Sequence, residues 1–209
     1  LRLNVQAIEI DRSAAFGYKT NKLGFSVGTS FEYMEDLNLG VDIENCHEKI
    51  TTYSTASNVQ KSQQGNYWDS FLNLDFDLDK RNQRYDTNDG YRAFYSLKLP
   101  IISDTNTLTN SLSYKTYSEL YENNITSASI MLKTANSVAN NNIKLSERLF
   151  IPSSKLRGFE SGKIGPKDGD DYIGGNFVVT ANFSSTIPQL LSNYEDINFL
   201  LFVDAANIW

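Results

Sequence analysis

The sequence predicts an all-β protein whose strands form a transmembrane antiparallel β-barrel. Apolar and polar side chains alternate in about nine segments, which is the spacing of strands with one apolar face. In one segment Asp75, Asp77 and Asp79 all lie opposite leucine and phenylalanine. Three carboxylates on one face require water, so the other face has to meet an apolar medium. Short connections also alternate with long loops, as is typical of membrane barrels.

The alternation defines the strands in chain order. The first strand begins at Leu1, and its phase slips at Ile8, which suggests a bulge. The fifth strand follows the turn signal TNDG at residues 87–90 and ends at Pro100. With their flanks, these strands are about 8–12 residues long, as expected for a membrane barrel. The nine predicted strands cover residues 1–8, 22–31, 37–44, 72–79, 91–99, 108–115, 128–132, 177–184 and 199–206.

Two long segments, residues 47–67 and 151–173, are predicted as loops. The first is rich in Ser, Thr, Asn and Gln and has no steady period. A soluble β-sandwich would show the same alternation along its strands, and periodicity alone leaves that alternative open. The strand lengths, the charges on the polar faces and the presence of only four prolines favour the barrel.

Composition excludes several functions. The 209 residues carry a net charge of −6, so we do not expect a nucleic-acid-binding surface. Cys46 is the only cysteine and His47 the only histidine, so we predict no disulfide framework, metal site or cofactor. A single histidine in a polar segment also provides no credible catalytic triad, and we expect no enzymatic activity. The chain begins in mid-pattern without an initiator methionine, so we expect it to be an excerpt of a longer protein.

The stretch LRGFESGKIGP, residues 156–166, departs most clearly from strand spacing. Four of its eleven residues are glycine or proline. A long loop of this kind between two strong strands is usually functional or disordered. It is not a phosphate-binding Walker loop, because Ile164 stands where Ser or Thr is required. The acidic residues 167–171 lack the ligand spacing of a helix-loop-helix calcium site.

Three short motifs follow one another after residue 146. An arginine-glycine-phenylalanine motif with an IGP extension comes first, then GGN at the start of a strand, then a strand that closes on an aspartate, small residues and Trp209. Together they resemble the BamA-type outer-membrane assembly factors of the bacterial surface-antigen family. The resemblance is specific over residues 146–209, moderate over 71–100 and diffuse before that. Its motif residues are Arg157, Gly158, Phe159, Ile164, Gly165, Pro166, Gly174, Gly175, Asn176 and Asp204.

This resemblance implies both a fold and a function. The fold is a sixteen-stranded barrel, and residues 1–209 would be strands five to thirteen of that C-terminal domain, without the POTRA domains and the terminal strands. The implied function is the folding and insertion of client β-barrel proteins into the bacterial outer membrane, where the protein is integral. The implied partners are membrane lipids, nascent outer-membrane β-barrel proteins, assembly-machine lipoproteins and periplasmic chaperones, with no nucleic acid.

In this family the loop folds into the lumen and its arginine meets acidic residues on the inner wall. Applied to this sequence, the resemblance implies that a contact between Arg157 and Asp204 fixes residues 156–166. The alternation of the last strand places Asp204 on the face opposite to that of Phe199. A guanidinium and a carboxylate shielded from water form charge-assisted, often bidentate hydrogen bonds. Lysine lacks the planar fork needed for that geometry. Phe159 is expected to pack as an anchor inside the lumen.

The sequence departs from the family at one position. Family members often place a second carboxylate on the strand that opens with GGN, and here Ser184 occupies that position. Either Asp204 makes the contact alone, or another lumenal carboxylate such as Asp75 or Asp77 assists. The sequence also leaves alternatives to the assembly function open: a related TamA-type or two-partner-secretion translocation barrel, or a plain porin.

Overall fold

The computed structural model describes residues 1–12, 17–54, 56–139, 142–188 and 199–209. Nine long strands of these residues form one antiparallel sheet, which confirms the predicted all-β class. The strands and short strands, in chain order, are β1 (Arg2–Arg12), β2 (Tyr18–Met34), β3 (Leu37–Thr52), β4 (Gly65–Arg81), β5 (Gly90–Ser103), β6 (Thr107–Glu119), β7 (Ile125–Ser137), β8 (Lys167–Asp168), β9 (Asp171–Tyr172), β10 (Phe177–Ile187) and β11 (Phe199–Ile208).

Sequence neighbours are also spatial neighbours in this sheet. The order is β1-β2-β3-β4-β5-β6-β7-β10-β11, and β8 pairs with β9 in a separate two-stranded hairpin. Within the described part of the chain, β1 and β11 are the two edges and the sheet is not closed. The connections β2–β3, β4–β5 and β6–β7, of two, eight and five residues, lie at one end of the sheet, which we call the short-turn end. The connections β3–β4 and β7–β10 lie at the opposite, long-loop end.

The two faces of the sheet differ in chemistry. The outer face carries apolar side chains that lie in register from strand to strand, for example Phe31, Leu39, Phe76, Tyr95, Leu112, Leu132 and Val179. The inner face carries a polar row at a level nearer the short-turn end, made by Asp79, Arg92, Lys115, Ser129, Asn182 and Asp204. Because side chains alternate with a period of two, the register keeps the two chemistries on separate faces along the strands.

The alternation inverts near the long-loop end of β1 to β4. There Tyr18, Ile50 and Tyr67 lie on the inner face and pack with Leu145 of the β7–β10 connection, while outward positions such as Lys49 are polar. The prediction that residues 47–67 form a loop is therefore wrong at both ends, since β3 continues to Thr52 and β4 begins at Gly65.

The phase slip at Ile8 has the same origin. β1 pairs with β2 without interruption from Arg2 opposite Gly28 to Arg12 opposite Tyr18, so the expected bulge is absent. Ile8 and Ile10 line a cavity on the inner face, at the level where that face becomes apolar. The sequence pattern changes because the packing partner changes, while the strand remains regular.

Helical structure is confined to short connections. Helix α1 (Asn58–Ser62) lies in the β3–β4 connection and begins with a capping box between Ser57 and Gln60. Two 3-10 turns, Leu145–Glu147 and Ser153–Lys155, lie in the β7–β10 connection. No helix among the described residues has the length and apolar character needed to span a membrane.

An apolar cluster fixes the β7–β10 connection to the sheet. Five buried residues form it, three from the inner face of β7, β10 and β11 and two from the connection: Met131, Val178, Ile208, Ile151 and Leu156. Ile164, Leu149 and Ala206 pack against it. Burial of these side chains supplies an apolar contact between the loop and an otherwise polar wall.

We expect Ile208→Ala to lower the free energy of unfolding by about 2–4 kcal/mol, because a side chain only 5% exposed leaves a cavity in this cluster. The midpoint and slope of equilibrium denaturation give the change. The matched control is Val138→Ala, whose side chain is 61% exposed and which should change stability by less than about 0.5 kcal/mol. Equal losses in the two variants would show that the cluster does not hold the loop.

Candidate functional site

The β7–β10 connection folds back along the inner face of the sheet. Glycines allow it to approach the strands closely at two points. At Gly165, where φ is 116°, an added Cβ would lie 2.7 Å from Cγ2 of Ile208. At Gly174, where φ is 72°, it would lie 2.7 Å from the carbonyl oxygen of Leu149. Both positions combine a left-handed backbone with no room for a side chain, so glycine is required there.

Arg157 and Asp204 make the main polar contact between this loop and the sheet. Nε and Nη2 of Arg157 donate to Oδ2 and Oδ1 of Asp204, each at 2.7 Å. The backbone N–H of Arg157 also donates to Oδ2, at 3.0 Å. The carboxylate is therefore bound by both the side chain and the backbone of one residue, which fixes the position of the loop as well as its charge.

The surroundings of this pair favour the charged state. The Asp204 side chain is only 3% exposed, whereas that of Arg157 is 31% exposed. The guanidinium stacks on the ring of Phe202, with Cζ 3.7 Å from the ring centroid. Its hydrogen bonds to Asp204 raise the pKa of Arg157, which favours the charged guanidinium. Lysine could replace the charge but neither the fork nor the stacking.

Asn182 is the residue that sequence reasoning missed. It lies directly opposite Asp204 in the β10–β11 register. Its Nδ2 donates to Oδ1 of Asp204 at 2.9 Å and to the carbonyl oxygen of Lys155 at 2.7 Å. One amide thus holds the carboxylate and the loop backbone together. The strand register, which the sequence does not specify, is the signal that would have found it.

Two of the other positions considered as partners of Arg157 are engaged elsewhere. Ser184 Oγ forms a hydrogen bond of 2.9 Å with Ser127 Oγ of the neighbouring strand. Asp77 accepts two hydrogen bonds of 2.7 Å from Arg92. Among the described residues, Asp204 is the only carboxylate within 4.0 Å of the Arg157 side-chain nitrogens, and Asn182 is the supporting neutral group.

The remaining motif residues occupy three positions. Ile164 and Gly165 lie against the apolar cluster, and the carbonyl oxygen of Pro166 accepts from the N–H of Ile173 at 3.1 Å. Gly174, Gly175 and Asn176 lead into β10, where the N–H of Asn176 donates to the carbonyl oxygen of Trp209 at 2.7 Å. Gly158 adopts φ 83° at the turn after Arg157, with open space around it. Phe159 is 61% exposed, so against the described sheet it is not the packing anchor that we expected.

A second ionic contact holds the start of the loop. Lys144 is 2% exposed, and its ammonium lies 2.5 Å from Oδ2 of Asp69 and 2.9 Å from Oε2 of Glu48. Glu147 lies at 3.9 Å from the same ammonium. Burial alone would lower the pKa of Lys144, but the attraction of Glu147, Glu48 and Asp69 outweighs it and raises the pKa. Burial raises the pKa of the Glu147 carboxyl.

Helix α1 and the residues next to it form hydrogen bonds with the β7–β10 connection. Gln63 Oε1 accepts from the N–H of Leu145 at 2.8 Å, and its Nε2 donates to the carbonyl oxygen of Ile143 at 3.3 Å. The carboxylates of Asp171 and Asp168 accept from the N–H groups of Ser57 and Val59, each at 3.1 Å. Hydrogen bonds from the helix start lower the pKa of Asp168. The β3–β4 and β7–β10 connections are thus joined at three places: Gln63 with residues 143–145, Ser57 with Asp171, and Val59 with Asp168.

The described residues contain no group of three or more His, Cys, Asp or Glu side chains arranged to hold a metal ion. Their charged side chains form ion pairs, hydrogen bonds and contacts with aromatic rings. The arrangement can position a loop against the inner face of the sheet.

Comparisons with known proteins provide two matches. The family model described as the Omp85 superfamily domain matches residues 1–209. Among solved structures, the chain is similar to BamA from Haemophilus ducreyi lacking POTRA domains 1–3, with a TM-score of 0.87 and 21% sequence identity. The match covers 99% of this chain and 46% of that one, so this chain spans less than half the length of that protein. A search of curated proteins finds no match.

We expect Arg157→Lys to accelerate amide hydrogen exchange in residues 156–158 about tenfold, since lysine cannot make the bidentate contact. Exchange measured by mass spectrometry on loop peptides tests this. Arg2→Lys is the matched control, because Arg2 contacts Asp42 through a single bond of 3.5 Å and is 59% exposed. Unchanged exchange in Arg157→Lys would mean that the bidentate contact does not hold the loop.

We expect Lys144→Met to lower the free energy of unfolding by about 3–5 kcal/mol, because it leaves Asp69 and Glu48 buried without a counter-charge. Thermal and chemical denaturation measure the loss. Lys163→Met, which removes the exposed pair with Glu160, should change stability by no more than about 1 kcal/mol. A Lys144 variant as stable as the control would show that the buried cluster contributes nothing net.

Proposed function

The chain belongs to the Omp85 superfamily, and from that premise we propose that it is part of the barrel of an outer-membrane protein assembly factor. In this proposal residues 1–209 belong to a C-terminal β-barrel domain that folds and inserts client β-barrel proteins into the bacterial outer membrane. The loop 151–173 lies in the lumen, with residues 156–166 pinned by Arg157 to Asp204. The contact of Arg157 with Asp204, at 2.7 Å on a largely buried carboxylate, is the observation that carries the proposal.

The outer face of the sheet supports an integral membrane location. Large apolar side chains there are exposed along the strands, with Val5 71%, Ile130 53% and Leu201 61% accessible. An exposed apolar face of this extent needs an apolar medium, and lipid provides it. The inner face, with its ion pairs, is suited to a water-filled lumen. Membrane lipids are therefore the proposed partners of the outer face.

The proposed activity involves no chemical step and no cofactor. The chain contributes a wall and a loop fixed to it, and the pin keeps the loop packed against β10 and β11. The client proteins are nascent outer-membrane β-barrels, and assembly-machine lipoproteins and periplasmic chaperones are further proposed partners. The proposal favours assembly over a plain porin, because a loop bound by Arg157 and Lys144 at two points of the inner face obstructs a diffusion channel.

Reconstitution of the full-length protein in lipid vesicles tests this function. Folding of an unrelated β-barrel client is followed by its resistance to unfolding in cold detergent. We expect Arg157→Ala and Asp204→Ala each to slow client folding about tenfold or more, because each removes the charge-assisted contact. Since the two residues act as one unit, the double variant should be no slower than either single variant.

Lys163→Ala is the matched control, because Lys163 lies in the same loop in an exposed pair and should leave client folding unchanged. Normal client folding by the double variant would refute the role of the pin. A wild-type protein that folds no client but exports a soluble partner would instead identify a translocation barrel. Rapid solute flux through wild-type vesicles without client folding would identify a porin.

A further inference from the structure

A basic recess lies on the inner face near the short-turn end, apart from the pin. It is a cavity of about 270 Å³ between β4, β5, β6 and β7 and the loop residue Lys155. Its lining includes four basic residues and three aromatic ones: Arg81, Arg92, Lys115, Lys155, Phe94, Tyr114 and Tyr117. Because the whole sequence has a net charge of −6, a local excess of positive charge is unusual and calls for a counter-charge.

In the part of the chain that the structure describes, carboxylates form ion pairs with only the two arginines of this recess. Asp79 accepts two hydrogen bonds of 2.7 Å from Arg81, through Nε and Nη2. Asp77 accepts two hydrogen bonds of 2.7 Å from Arg92 in the same way. Each pair is bidentate, so both oxygens of each carboxylate face an arginine. The positive charges of Lys115 and Lys155 are left over.

Neither lysine has a carboxylate oxygen within 4.0 Å among the described residues. Lys155 Nζ donates to Ser129 Oγ at 3.4 Å, and Lys115 Nζ lies 4.6 Å from the centroid of the Tyr117 ring. Burial and the nearby charge of Lys115 lower the pKa of Lys155 by more than the attraction of Tyr117 and Asp204 raises it. The pKa of Lys144 is raised instead, because carboxylates close to its ammonium outweigh its burial. Lys155 has no carboxylate at such a distance among the described residues.

Both ammonium groups are presented by fixed elements. Lys115 lies in the inner-face row of the sheet, between Arg92 and Ser129 in register. Lys155 belongs to the loop, and its carbonyl oxygen is held by Asn182 Nδ2 at 2.7 Å. One ammonium therefore comes from the wall and one from the loop, so an anion between them would join the two elements.

We propose that this recess binds a soluble phosphate group, either free phosphate or a phosphate monoester, between Lys115 and Lys155. Two uncompensated ammonium groups match a dianion, and a monoanion such as acetate would leave one charge unpaired. The recess lies on the inner face, away from the apolar outer face, so its ligand is a water-soluble one. The bound group forms a third ionic contact between loop and wall, beside those of Arg157 and Lys144.

Isothermal titration calorimetry on the full-length protein in detergent at low salt tests this. Sodium phosphate and glycerol 1-phosphate are titrated separately, with sodium acetate as the monoanion. We expect both phosphates to bind, acetate to bind at least about tenfold more weakly, and higher salt to weaken binding. Binding of only one of the two phosphates identifies which source the recess accepts.

Lys115→Gln and Lys155→Gln should each weaken phosphate binding about tenfold or more, the effect of losing one charge-assisted contact. Lys98→Gln is the matched control: this inner-face lysine is already paired with Glu44 at 3.1 Å and should change phosphate affinity by less than about twofold. Thermal unfolding in chloride should be similar for all three variants. Phosphate should raise the unfolding midpoint of the wild type and of Lys98→Gln only.

Absence of phosphate binding by the wild type would overturn the proposal. Phosphate binding that is unchanged in both Lys115→Gln and Lys155→Gln would also overturn it, and so would acetate binding as tight as phosphate binding. These outcomes are separate from those for client folding. A protein that binds phosphate but folds no client refutes the assembly function alone, and a protein that folds clients without binding phosphate refutes the recess alone.

Discussion

Charge neutralisation on the inner face is the constraint on which the rest of the structure depends. The two-residue repeat of the strands separates an apolar outer face from an inner face rich in carboxylates and cations. Two pairs of these charges join different elements: Lys144 of the loop to Asp69 of β4, and Arg157 of the loop to Asp204 of β11. The loop is therefore part of the electrostatics of the wall, because removing it would leave three wall carboxylates, Asp69, Glu48 and Asp204, without counter-charges. Its position follows from where those carboxylates stand.

The two ionic contacts of the loop differ in kind. At the start of the loop, a buried ammonium is surrounded by three carboxylates, two of them within 2.9 Å, and little water reaches them. Such clusters are costly to break, although their net contribution to stability is small compared with an apolar replacement. Farther along, the half-exposed guanidinium of Arg157 meets one carboxylate, and Asn182 supplies a neutral donor instead of a second acid. This exchange of an acid for an amide keeps the carboxylate saturated while adding no negative charge beside it.

Much of the fold could be predicted from the sequence, because lipid-facing and water-facing side chains alternate wherever the two faces meet different media. All nine long strands were predicted for that reason. The predictions failed where the medium changes: near the long-loop end the inner face packs against the loop, so Ile8, Ile10 and Ile50 point inward and the pattern reverses. Residues 47–67 therefore lack the expected alternation, although residues 47–52 belong to β3 and residues 65–67 belong to β4. The resemblance carried by Arg157 and Asp204 identified the pair, but not their geometry.

The sequence by itself determined the all-β class, the succession of strands along the chain, the irregular glycine-rich loop and the chemistry of its arginine. These properties depend on local spacing and residue type, and both are visible in one dimension. Only the tertiary structure decided that Asn182 supports Asp204, that Ser184 pairs with Ser127 instead, that Phe159 remains exposed and that Lys115 and Lys155 share a recess. Each of those facts depends on register between strands and on the path of a long loop. Register is set by the summed packing of both faces, which no single segment of the sequence contains.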